Sequence, residues 1–164
     1  MRRVIALKSV MILALTGSLT AAAIAQHQGH MQHHDHGGMA QSDSRELVQM
    51  PDAIVRPMLS NMRNHLAALQ EIQSAMAQDK FDDAASIAES RLGMSSLGLH
   101  GAHDIAPLMP AGMQQAGTEM HRAASRFAIA VKDAGVSGDN KPALAALAAV
   151  TAQCVACHTG YRIR

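Results

Sequence analysis

Large aromatic side chains are almost missing from these 164 residues. There are two Phe (Phe81 and Phe127), one Tyr (Tyr161) and no Trp. Ala, Leu and Met make up most of the apolar set instead, a composition that favours helices over strands. A core of Ala and Met is short of bulk, which leaves room for a large apolar body that is not protein. Charge of one sign is also lacking: the net charge is +1 with His neutral, which argues against a nucleic-acid surface. No strand-rich segment is visible. No nucleophile stands beside a base, and the His and carboxylate residues show no catalytic spacing, so an enzyme is not expected. Cysteine is limited to two residues, Cys154 and Cys157.

Those two lie in Gln153-Cys154-Val155-Ala156-Cys157-His158-Thr159-Gly160-Tyr161-Arg162. Cys-x-x-Cys alone is a redox pair, a zinc half-site or a disulfide. A thioredoxin-type pair belongs beside a βαβ pattern, and a zinc site wants a second pair of ligands; this chain has neither. Cys-x-x-Cys-His is the attachment pattern of c-type haem. Thiols three residues apart lie on one side of a helical turn, where they can bond the two vinyl groups of one haem. His158 then falls under the iron as proximal ligand.

The first residues read as a secretory signal. Arg2, Arg3 and Lys8 form a basic region, Val10 to Ala22 is mainly apolar, and Ala23-Ile24-Ala25 is a small-x-small cleavage site. The apolar run is short for a membrane span. Residues 1–25 are therefore expected to be cleaved, with no stable membrane insertion afterwards and a periplasmic address, the compartment where covalent haem is attached. Residues 26–44 follow as a tail carrying His27, His30, His33, His34 and His36 with Met31 and Met39. It lacks the apolar content to fold. His-rich tracts with interleaved Met bind copper, nickel or zinc; the plainer reading is a solvated linker.

Residues 45–164 read as an all-α domain of four helices. The first starts between Pro51 and Pro57 and ends near Gln78, with Ile54, Met58, Met62, Leu66 (or His65), Leu69, Ile72 and Met76 forming one stripe. The second runs from about Asp82 to Ser96. A long connection, residues 98–112, holds His100, His103 and Met109. The third spans about Met113 to Ala134, with Gly135 as its stop. The fourth begins around Pro142. It carries Leu144, Leu147, Thr151, Cys154 and His158 at heptad-like spacing, which predicts that Cys154 and His158 share a buried seam.

With the motif on a fourth and last helix, residues 47–164 resemble the cytochrome c-prime family, the class II c-type cytochromes. Cys154, Cys157 and His158 match its attachment motif, and Tyr161-Arg162 stands where Phe-Arg is frequent. The resemblance implies an antiparallel four-helix bundle with one covalent haem c near the C-terminus. Pro57-Met58-Leu59-Ser60-Asn61-Met62-Arg63-Asn64 looks like the low-spin branch, Met-x-x-Asn-x-Arg-Asn, which implies Met58 as the distal iron ligand. Met62 and His65 are rivals on the same helix. Arg63 and Arg162 are candidates for the haem propionates. Pro57 beside the implied ligand and the Met- and His-rich middle of the chain depart from the family pattern.

The function so implied is one-electron transfer between periplasmic redox partner proteins. Two alternatives stay open: a high-spin cytochrome that binds nitric oxide or carbon monoxide, and a copper-handling protein that works through its His- and Met-rich segments. Members of the family often dimerise through their first two helices, so a homodimer is among the expected partner states. No dimer signature is legible.

Overall fold

A computed structural model describes residues 43–164. The signal sequence and all five tail histidines, His27, His30, His33, His34 and His36, lie outside the described residues.

The described residues are mainly helical. Strand β1 (Glu46–Val48) leads into helix α1 (Asp52–Met76) through Pro51, whose extended backbone (φ −59°, ψ 142°) sets the helix start. Asp52 places a negative charge at the positive end of the helix dipole. Pro57 lies inside α1 and takes away the amide that would bond the carbonyl of Ala53, but the helix runs on through it. The end of α1 is specified locally. Asp79 adopts φ +57°, Lys80 donates its amide to the Ala75 carbonyl at 2.9 Å, and Asp79 donates to Met76 at 3.1 Å. That pair of bonds is a Schellman stop.

Helix α2 (Phe81–Arg91) follows at once, with Asp82 and Asp83 in its first turn and Arg91 in its last. It ends five residues before the expected Ser96, where Leu92 and Gly93 lead into a 3-10 turn, Met94–Ser96. The long connection holds a four-residue helix, α3 (Ala102–Ile105), and a second 3-10 turn, Ala106–Leu108. Helix α4 (Ala111–Ser137) passes through Gly135 and stops at Gly138, which takes φ +75°. The expected stop at Gly135 is corrected: a positive φ, not the glycine itself, ends a helix. Helix α5 (Lys141–Gly160) carries the cysteine motif and runs into strand β2 (Tyr161–Ile163). It is the one helix among the described residues long and apolar enough to cross a membrane by length and composition.

Strands β1 and β2 pair in parallel, Glu46 with Tyr161, Leu47 with Arg162 and Val48 with Ile163. Helix α1 packs on α2, α2 on α4 and α4 on α5, whereas α1 and α5 are not a closely packed pair. The main core fills the middle of this row. Ten of its 17 buried residues are Ala, set around Phe127, Ile72, Leu92 and Val131. Small side chains let the helices approach closely, so a single Phe fills much of the volume.

The seam of α5 differs from the expected one by a residue. Ala143, Leu147 and Val150 are buried, Cys154 packs against the main core, and Leu144 is 55% exposed. The observed series 143, 147, 150, 154, 157 has the same four-three rhythm. It puts both cysteines inward and leaves His158 on the flank rather than on the buried seam.

Candidate haem site

Between α1 and the C-terminal half of α5 lies a cleft of about 700 Å³, within the range of cofactor-sized sites. Its walls are mostly apolar. Helix α1 contributes Met58, Met62, His65 and Leu69, and α4 contributes Met113, Met120 and His121. Cys154, Cys157 and His158 come from α5, Tyr161, Arg162 and Ile163 from β2, and His100 and Ile105 from the connection.

The motif residues are thus brought together on one wall. Cys154 and Cys157 are half-buried and free, not joined in a disulfide, and His158 is exposed. Burial pushes both thiols up from their ordinary value, with Cys154 adding to the effect on Cys157. A dithiol redox catalyst needs the opposite shift. Among the described residues no group of three or more His, Cys, Asp or Glu is set to hold a metal ion as it stands, so the pair has no zinc partners. What remains is a pair of protonated thiols and an imidazole facing an apolar cleft, which suits covalent attachment and proximal ligation of a haem.

All three candidate distal ligands line the opposite wall. Met58 and His65 are buried, and Met62 is half-buried. Met58 belongs to a small apolar cluster with Val48, Met50, Ile105 and Met113, against which Cys157 and Tyr161 pack. His65 lies seven residues on, about 10 Å along the helix axis. Of the three, Met58 is therefore tied by packing to the attachment motif.

The arginines divide. Arg63 is exposed and outside the cleft wall. Arg162 lines it, with Nε buried and 3.5 Å from Asp43 Oδ2 but without hydrogen-bond geometry. Sequence reasoning missed Arg45. It reaches the cleft because β1 lies against β2, and its Nη1 donates to the His158 carbonyl at 3.4 Å. Asp43 holds Arg45 with two bonds, at 2.9 and 2.7 Å. Tyr161 is positioned by Gly112: a side chain there would strike the Tyr161 hydroxyl.

One further grouping was not legible as a group, although the sequence marks His65 on the first helix and a Met- and His-rich middle. His65 of α1, His100 of the connection and His121 of α4 meet on the cleft, with ring centroids 4.6, 5.4 and 6.0 Å apart. They are separated by 35 and 21 positions in the chain, and only the tertiary fold brings them together.

Comparison with family models, with curated proteins and with solved structures gives no match.

Proposed function

We propose that this protein is a periplasmic monohaem c-type cytochrome, a four-helix bundle of the c-prime type that carries single electrons between redox partner proteins. The observation that supports it most is the meeting of Cys154, Cys157 and His158 on one wall of an apolar cleft with Met58 packed against the same end. The haem supplies a one-electron couple. Cys154 and Cys157 would hold it through thioether bonds, and His158 and Met58 would be the residues that ligate it. A thioether there favours the reduced state. The apolar walls keep water away, and two fixed ligands leave little to reorganise when the charge changes. Arg162 and Arg45, which line the cleft, would be the groups to meet the propionates, and Arg63 stands exposed outside its wall.

Visible spectra of the purified protein in both oxidation states test this reading. The expected result is a six-coordinate, low-spin spectrum in each state, with a weak sulfur-to-iron band in the far red of the oxidised form. A high-spin spectrum and immediate carbon monoxide binding by the reduced form would move the assignment to a gas-binding cytochrome.

A further inference from the structure

The three histidines on the cleft have a geometry of their own. A tetrahedral metal ion with imidazole nitrogens at about 2.0–2.1 Å sets the ring centroids roughly 5 Å apart. The observed separations, 4.6, 5.4 and 6.0 Å, bracket that value. His65 is 91% buried, being 9% exposed. Its Nε2 is buried without a hydrogen-bond partner, and so is Nδ1 of His100. An unpaired buried polar atom is costly, and it asks for a partner. His121 is supported as a ligand should be: its Nδ1–H donates to the Leu92 carbonyl at 2.7 Å. That bond fixes the tautomer and leaves the lone pair on Nε2, the arrangement that orients metal-bound imidazoles. Asn61 donates to the His100 carbonyl at 3.1 Å and ties the connection to α1.

We infer that His65, His100 and His121 form a binding site for one divalent transition-metal ion of the imidazole-preferring kind, copper or zinc, on the wall of the same cleft. As the rings stand, they are not set around a common point. With His121 held by its bond to Leu92, metal binding requires the His65 and His100 rings to turn about their last side-chain torsion, which is broad and two-fold for His. Among the described residues no carboxylate lines the cleft, which disfavours calcium and magnesium. Among divalent ions copper binds such sites most strongly. The three rings line the same cleft as the cysteine motif, but the distal ligand proposed there, Met58, is a different residue about 10 Å along α1 from His65.

The test uses the full mature holoprotein with His27, His30, His33, His34 and His36 replaced by Asn, to silence the tail. After equilibrium dialysis against zinc chloride or copper sulfate, elemental analysis should find one tightly held metal per chain. His100→Ala in that background should weaken binding at least 100-fold, with the haem still attached covalently through Cys154 and Cys157. Paramagnetic resonance of the copper form should show coupling to three nitrogens, a readout that needs no further variant to fold. Absence of tight metal would overturn the inference, as would retention unaffected by His100→Ala. A loss of the low-spin spectrum in His65→Ala without any metal bound to the parent protein would also overturn it, by assigning His65 to the iron.

Discussion

The two apolar clusters of this domain are built in opposite ways. The main core is Ala-rich and closed, with Phe127, Ile72 and Val131 fully buried among helices that touch directly. The other end, around Met58, Met113 and Ile105, is Met-rich, has Cys157 and Tyr161 packed against it, and opens on the cleft. Alanine fixes distances, because a helix pair in contact through Ala has no slack. Methionine has three rotatable bonds and a polarisable sulfur, and it adapts to an irregular partner. The first region sets the frame, and the second is the more adaptable wall of the cleft.

Substitutions can break this contrast. Replacing both Cys154 and Cys157 by Ala should remove covalent haem entirely, so that acid organic solvent extracts whatever pigment remains. Retention of covalent haem would refute the attachment motif. Phe127→Ala strikes the frame alone and should cost about 3–5 kcal/mol of stability, read from denaturant unfolding of the holoprotein. The spectrum of the molecules still folded should not change. Met58→Ala strikes the other end, at roughly 2–5 kcal/mol, and its signature is optical. The iron should turn high-spin, carbon monoxide should bind the reduced form, and the potential should fall. If His65→Ala converts the spectrum and Met58→Ala does not, the distal ligand is His65. Gly112→Ala should displace Tyr161 and cost about 1–3 kcal/mol by overpacking, with the spin state retained.

What could be read in advance follows physical lines. Cys154, Cys157 and His158 were legible as a group because Cys-x-x-Cys-His is one fixed local pattern, and all three line the cleft. The stripe of α1 was legible because a 25-residue helix repeats its signal many times; Met58 and Ile72 are buried as expected, although Leu66 is 68% exposed and His65 takes the inner place. On α5 the frame was misread by one residue, because Leu144 outranks Ala143 in any hydropathy pattern while the α4 contact has room only for the smaller. The β1–β2 ladder was invisible, since three-residue strands have almost no periodicity. Arg45 was missed with it: nothing local marks an arginine at the edge of a polar tail as a neighbour of His158.

That ladder also has a mechanical consequence. Its strands run in parallel, with Glu46 opposite Tyr161 and Val48 opposite Ile163. Tension applied to the chain before β1 and after β2 therefore acts at opposite ends of the pair. The strands are loaded in shear, and their hydrogen bonds must yield together rather than peel one at a time. Cys157 and His158 lie immediately before β2, so a pull on the last residues meets the ladder before it reaches the helix that carries them.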